Sequence, residues 1–420
     1  MPGLLDLHRG RRQLRRPPAF PWAPEGGVQP GRGIGAAASR YRLATTATRW
    51  MAKGAAGNGL TSGTPRGTVW QILNDVDQPT TIYVLEGDGS DLDLSNGIAG
   101  STCVDDVELI VVKDFTTLAP GRRRFTMAAP LVWSDEGGGV WSAPMAGAYA
   151  FAPYNVVDEA FLDAYGGGQW LTPRADEAAT AANAGSWAKV GTDIFVRTPD
   201  SRQPDADVLV LKNINHASTV FADTSIYFEG VDLVGGAQPW SMPASGTATF
   251  ARCSARYGRL GGFTFNGATR ATLLYCEATG NGADGIAYTS TPRALEVGCS
   301  SCKNGDPFVI GNTHNGSSMH SGGSIVRVDG VYLDNQGPDV ADVDDGTSWL
   351  VRCRASGTTA TQSSQQVGVW IDGTAWLDSC VVTGNPEFDI KAQDVGDIVN
   401  VYGTRFNTAG GAGTIRASRG

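Results

Sequence analysis

The 420 residues are enough for a large core, and charged residues make up only 18% of them, below the usual level of about 25%. The net charge of -9 is uneven: residues 1–53 hold ten Lys/Arg against Asp6 and Glu25, a balance of +8 that leaves -17 on the rest. An acidic body lacks the basic face that phosphate recognition needs, which argues against nucleic acid as a partner. No apolar run reaches the roughly 18 residues of a transmembrane helix.

Residues 1–50 are rich in Arg, Pro, Gly and Ala, and Pro17, Pro18, Pro21, Pro24 and Pro30 keep this arm extended. Arg11-Arg12 and Arg15-Arg16 are followed by Pro-Pro-Ala-Phe-Pro-Trp rather than by the apolar stretch of a secretory leader. The arm is expected to be flexible or to dock on a virion or cell-surface partner, with export by a route such as release on a virus particle. Thr68 is placed to N-cap a short helix over 68–75, with Val69, Ile72, Leu73 and Val76 on one face. Such a helix would cover the open end of a repeat structure. Strands are expected over 81–85, 107–112 and 125–129.

From 133 to 204 regular spacing is lost, and an irregular insertion is expected, with a helix over 176–184 and a strand over 193–197. Trp133, Trp141, Trp170, Trp187 and Trp240 lie in or beside it. Most are expected to pack the insertion, with sugar stacking as the alternative. Regular units resume at 208–211 and run to about 405; the tail, 407–420, has no core pattern and is expected to be flexible. The body is therefore read as one domain, 51–406.

One short unit recurs between Gly230 and Gly403. Cys253, Cys276 and Cys299 stand 23 residues apart, and Cys353 and Cys380 stand 27 apart. Each closes a strand-like phrase: ATFARC, ATLLYC, ALEVGC, SWLVRC, AWLDSC. SIYFEG, SIVRVD and IVNVYG share the shape without the cysteine. A second apolar run follows about ten residues later, at 263–265, 285–288, 308–310, 340–342 and 388–390, with Gly, Asn, Asp and Ser between the runs. A repeat of this length with two or more strands and no helical pattern predicts an all-β parallel solenoid. Equivalent positions of such a fold stack about 4.8 Å apart, so the cysteines form a buried ladder before they form disulfides. Cys299-Ser-Ser-Cys302 lacks the βα setting of a redox site and a second pair for zinc, and is read as structural.

These phrases carry a family resemblance. GNGLTSGTPRGT, NGADGIAY, SCKNG, HNGSSMHSG, IVRVDGVY and GPDVADV resemble the right-handed parallel β-helix repeat proteins of the pectin-lyase-like superfamily, of the proteobacterial and tailed-phage, tailspike-like type. The resemblance covers roughly residues 55–405. It implies an N-terminal capping helix and a polysaccharide as partner. Tailspikes of this fold are commonly trimers, which makes a homotrimer the implied assembly. The superfamily holds lyases, glycoside hydrolases, tailspikes and non-catalytic proteins, so fold alone does not choose among them. The N-T-D, G-H-G and R-I-K set of polygalacturonases is missing, and in Val369-Trp370-Ile371-Asp372-Gly373 a glycine replaces the histidine of the pectate-lyase phrase W-I-D-H. No catalytic residue carries over from either family.

The unit between Cys299 and Asp329 is longer than its neighbours, and the excess is read at 312–320, which holds His314 and His320. Stacked coils would bring these together with Asp284 and Tyr288 from the preceding coil and Asp339, Asp342, Asp344 and Asp345 from the next. His314, His320, Asp284, Tyr288, Asp339 and Asp342 are the candidate catalytic residues; Asn315, Ser318 and Asp344 are candidate substrate contacts. Acidic pairs serve glycoside hydrolysis, and a near-neutral histidine serves proton abstraction beside a uronate carboxylate. Clustered Asp are also the ligand type for Ca²⁺. For each residue the alternative is an ordinary turn role. The expected function is recognition, and cleavage by a lyase or hydrolase, of a polysaccharide outside the cell or on a virion. The rival is a non-catalytic structural or adhesion part of a phage or prophage particle.

Overall fold

The computed structural model describes residues 45, 47–52, 55–68, 71–72, 75, 77–85, 92–93, 109–114, 123–147, 151–212, 225–242, 246–268, 270–291, 293–308, 314–359 and 365–418. Most of the expected arm, and residues Val69, Leu73 and Val76 of the expected cap, lie outside them; at the arm's end Ala47–Met51 is a strand of the solenoid, paired in parallel with Thr80–Val84. The Oγ of Thr68 does accept the Gln71 N–H at 3.1 Å, as an N-cap requires. Ile72, one turn on, is buried.

The chain winds into a parallel β-helix whose coils present three faces. In the coil around Cys253 the first face holds Thr247–Ala251, the second Ser254–Arg256 and the third Phe263–Asn266. Each pairs in parallel with its counterpart one coil on: Arg270–Leu274, Glu277–Thr279 and Ile286–Thr289. Period-2 alternation explains which side chains turn inward. Ala248 and Phe250 join the core, as do Phe263 and Phe265. Further along, Val340–Val351 and Val367–Asp378 run unbroken from the third face into the first. Among the described residues no helix is long and apolar enough to cross a membrane.

Among the described residues six cysteines are buried and free, including Cys302 of the C-x-x-C phrase. The five repeat cysteines stand one residue before the second-face strands, and Gly330 occupies that position where the cysteine is missing. A Cβ at Gly330 would lie 2.4 Å from the Tyr332 hydroxyl, so the glycine makes room for a buried ring. Just before the column the backbone turns through positive φ in every coil, at Gly230, Arg252, Tyr275, Gly298, Asp329, Arg352, Ser379 and Gly403. The cysteine-free phrases thus end at this corner, one residue short of the column. At the next corner Asn281, Asn304 and Asn335 form a buried ladder: Asn281 Nδ2 donates to Asn304 Oδ1 at 3.0 Å, and Asn304 Nδ2 donates to Asn335 Oδ1 at 2.9 Å.

Three expectations change. Val208–Lys212 does not resume the solenoid; it pairs antiparallel with Pro153–Leu162. The insertion therefore extends over 134–212, with Glu177–Ala182 as its helix, N-capped by Asp176, and Asp193–Arg197 as a strand. Coils resume at Ser225–Glu229, which pairs with Leu109–Asp114 across the insertion. The tail is the last coil, since Ala409–Gly411 and Thr414–Ser418 pair with Phe388–Ala392 and Ile398–Tyr402. In the long unit the third-face strand paired with Ile286–Thr289 is Ser317–His320; the expected run at 308–310 lies outside the described residues except for Phe308. The extra residues thus precede the strand.

The insertion has its own core around Ala143, Val156, Leu171, Ile194 and Val210. It docks on the solenoid through buried charge: Glu159 accepts from Arg256 at 3.1 Å and from the Tyr257 hydroxyl at 3.1 Å. Trp187 packs in the insertion core, with Trp133 against it, and Trp240 sits in the solenoid core. Trp170 lines a groove between the two.

Candidate active site

Asp284 closes the corner before Ile286–Thr289, and His314 and Asn315 close the same corner one coil on. Within Ser317–His320, Met319 joins the core and alternation puts Ser318 and His320 on the opposite phase; Ser318 is nevertheless fully buried, which removes it as a substrate contact, and only His320 reaches the surface. Five of the predicted residues therefore meet. Asp284 Oδ1 accepts the Asn315 N–H at 2.7 Å, and its Oδ2 accepts the Ser318 hydroxyl at 2.7 Å. The two histidines flank the same carboxylate, His314 Nδ1 at 3.8 Å from Oδ1 and His320 Nε2 at 4.0 Å from Oδ2. The side chains of His314 and His320 keep 23% and 36% of their surface exposed, so an extended ligand can reach both rings.

The shared carboxylate sets the two rings apart. Burial pushes the His314 pKa below the usual 6.5, and the pull of Asp284 and Asp306 only partly counters it. For His320 contact with Asp284 dominates and raises the pKa above 6.5 against burial. Burial alone would raise the Asp284 carboxyl, but His320, Ser318, Asn315 and His314 outweigh it and hold the group below the ordinary carboxylate range. Near pH 6.5 this arrangement favours a neutral His314 ring, a charged His320 ring and a carboxylate between them. Environments that push neighbouring pKa values apart assign base and acid roles.

Three predicted catalytic residues are instead sequestered inside the solenoid. Tyr288 is fully buried and stacks on Phe265 at 5.2 Å. Asp342 forms a bidentate ion pair with buried Arg327, at 2.7 and 2.8 Å. Asp339 is fully buried, with Oδ1 accepting from Asn335 Nδ2 at 2.9 Å. Burial raises the Asp339 pKa well above the ordinary carboxylate value. A carboxyl raised in the folded state adds stability below its unfolded pKa of about 3.9, and this is lost as pH rises through the folded value. Asp339→Asn should therefore gain on the parent chain as pH rises, read as a urea-midpoint difference that is larger at pH 8 than at pH 4. Parallel midpoint profiles would contradict the assignment.

Asp344 lies on the surface, where it accepts the Ser321 N–H at 3.0 Å and donates its own N–H to Asp372 at 3.2 Å. Beyond it is a cavity of about 710 Å³ lined by Asp344, Asp345, Asp372, Thr374, Asp394 and Asp397. Carboxylate oxygens of Asp345, Asp372 and Asp397 lie within 4.8 Å of one another. Hard oxygen ligands of this kind are the type that Ca²⁺ takes. Burial, followed by the charges of Asp397, Asp394 and Asp345, raises the Asp372 pKa. A sequence signal for part of this cluster existed: D-G-T-S-W-L and D-G-T-A-W-L recur 27 residues apart, carrying Asp345 and Asp372.

A further row runs along the third face on the phase opposite the core, buried at Ser318 and Ala341 and half-buried at Trp370 and Lys391. Ser318 pairs with Ala341, Ala341 with Trp370 and Trp370 with Lys391. Val369 and Ile371 point into the core, so Trp370 points out, with Lys391 Nζ 4.2 Å from its ring centroid. Two strand spacings, about 10 Å, separate Trp370 from Ser318.

No protein-family model and no curated protein matches the sequence. Solved structures match the fold. A structure titled "Glycoside hydrolase" aligns with a TM-score of 0.56 at 10% identity, over 88% of this chain and 96% of that one. One titled "The complex structure of XylC with xylose" aligns with a TM-score of 0.60 at 11% identity, over 85% and 70%. A pectate lyase, Pel9A, aligns with a TM-score of 0.43 at 10% identity, over 90% and 80%. At these identities the likeness is one of fold, and the chain is a parallel β-helix with an inserted subdomain.

Proposed function

We propose that the chain is a polysaccharide depolymerase of the eliminating type, acting at His314, Asp284 and His320. The observation that carries this reading is the pair of histidines on one carboxylate with their pKa values driven in opposite directions. Neutral His314 takes the proton from the carbon beside a uronate carboxylate. The C–H electron pair forms the new double bond as the bond to the neighbouring glycosidic oxygen breaks. Protonated His320 supplies a proton to that leaving oxygen, so each ring ends in the other's starting state. Asp284 orients both rings and cannot donate, because it is held ionised. The Trp370 ring, with Lys391 over one face, lies about two strand spacings from Ser318 and adds an aromatic surface to the same face of the solenoid. The glycoside hydrolase and xylose-complex neighbours support a carbohydrate ligand for this fold.

The test is depolymerisation of a panel of acidic and neutral bacterial and plant polysaccharides, followed by viscosity and new reducing ends, with and without chelator. Cleavage of an acidic member is expected, and its loss on chelation, matched by Asp372→Asn, would support Ca²⁺ at Asp345, Asp372 and Asp397. Neither cleavage nor binding across the panel would overturn the reading in favour of a non-catalytic part of a phage or prophage particle.

A further inference from the structure

The insertion overhangs the solenoid and encloses a groove of about 760 Å³ with it. One wall is the hairpin end 161–170, which contributes Phe161 and Trp170; the other consists of solenoid corners and contributes Lys303, Phe308 and Gln336. The hairpin is pinned in place from both sides. The Tyr257 hydroxyl accepts the Gly168 N–H at 2.7 Å, Tyr165 donates to Asp334 at 2.5 Å, and Lys303 meets Asp163 at 3.2 Å. The groove is therefore a built feature, held by contacts that span the two subdomains.

Its surface combines aromatic rings with polar groups. Trp170 and Phe308 approach to 6.2 Å between centroids at 44°, and Phe161 and Phe308 are each 37% exposed. Exposed apolar groups gathered in one concave place mark a binding site more often than chance exposure does. Gly280, at φ +62, lies in the lining, where a Cβ would press on the Tyr257 ring at 3.2 Å. The charged groups are Asp163 and Asp334 against Lys303, and Lys303 is paired with Asp163. Excess carboxylate disfavours an anion, while carboxylates and the Gln336 amide accept and donate hydrogen bonds to hydroxyl groups. The groove also adjoins the candidate active site: Gln336 lines it, and the next residue, Gly337, donates its N–H to the His314 carbonyl at 2.7 Å.

We infer that this groove is a second carbohydrate site that binds neutral sugar residues, stacked on Trp170, Phe308 and Phe161. It would hold a neutral stretch or side branch of the same glycan whose uronate reaches His314. Its position in the glycan path rests on the proposed function, but its ligand class rests on the groove itself.

Binding is measured by calorimetry on the non-cleaving His314→Ala chain, with cellohexaose, mannohexaose and hexagalacturonate as probes. Saturable binding of a neutral hexasaccharide is expected, weakened about tenfold by Phe308→Ala and likewise by Phe161→Ala, the loss of one stacking partner. Phe161→Ala is the safeguard, because this ring lies at the exposed rim and its loss spares the solenoid. No neutral hexasaccharide bound, or unchanged affinity in both variants, overturns the inference, as does a preference for hexagalacturonate that these variants abolish. In the parent chain both substitutions should raise KM for a cleaved polysaccharide and leave kcat in place. Cleavage with unchanged KM would sink the groove and spare the active site. Neutral binding lost in the variants of a chain that cleaves nothing would do the reverse.

Discussion

His314→Ala is expected to lower kcat/KM for the cleaved polysaccharide by about 10²–10⁴, the usual contribution of a positioned general base. His320→Ala should cost a similar factor through loss of the acid. The pH profile carries more information than either number. His314 works unprotonated and its pKa lies below 6.5, so activity rises as pH climbs through that depressed value. His320 works protonated and its pKa lies above 6.5, so activity falls once pH exceeds the raised value. The bell should straddle 6.5. Asp284→Asn removes the charge that holds His320 up, so the alkaline limb should move to lower pH, a shift that a purely structural role for Asp284 would not produce. An unmoved alkaline limb in that variant would remove Asp284 from the arrangement.

Arg327→Met should destabilise the fold by about 3–5 kcal/mol, because removing one partner of a buried ion pair strands the other in the core. Arg327 is fully buried and chelates Asp342. Its Nε donates to Ser317 at 3.0 Å, and Ser317 donates to Glu296 at 2.6 Å. Glu296 also accepts from Tyr332 at 2.6 Å, and Ser348 donates to Asp342 at 2.5 Å. This network crosses the solenoid directly beneath the strand that carries His320. Adding Asp342→Leu and Glu296→Gln to Arg327→Met should restore most of the loss, since a matched apolar replacement of a buried ion pair is often neutral. Urea midpoints with a shared slope report the difference. A loss below about 1 kcal/mol in Arg327→Met would mean that solvent reaches the site.

The network also shows what was legible beforehand. The cysteine phrases gave the coil length, and their apolar alternation gave the first-face strands, because Ala248, Phe250, Ala271 and Leu273 must all turn inward. The same alternation applied to 340–342 puts Asp342 on the side of Val340, inside, and applied to 286–288 puts Tyr288 with Ile286. Treating both as surface candidates overlooked that phase. Ser317–His320 escaped notice since Ser, Met and His carry little strand signal, and a longer corner displaced it from the expected spacing. Val208–Lys212 reads as a fully buried strand in either direction, so its antiparallel partner could not be inferred from its own residues. The last coil was hidden for a different reason. Its strands are held largely by backbone pairing at a half-exposed end: Ala409–Gly411 has no large apolar side chain, and Ile415 alone of Thr414–Ser418 packs on the core. The His314–Asp284–His320 meeting was legible from repeat length alone, whereas the groove under Trp170 depends on how the insertion folds back.

The most direct measurement is the nature of the new chain ends released from an acidic polysaccharide. Elimination at His314 and His320 predicts ultraviolet absorbance from unsaturated uronate that grows in step with reducing ends and vanishes in both histidine variants. Reducing ends that accumulate without that absorbance, or cleavage that survives in both variants, would contradict the assignment.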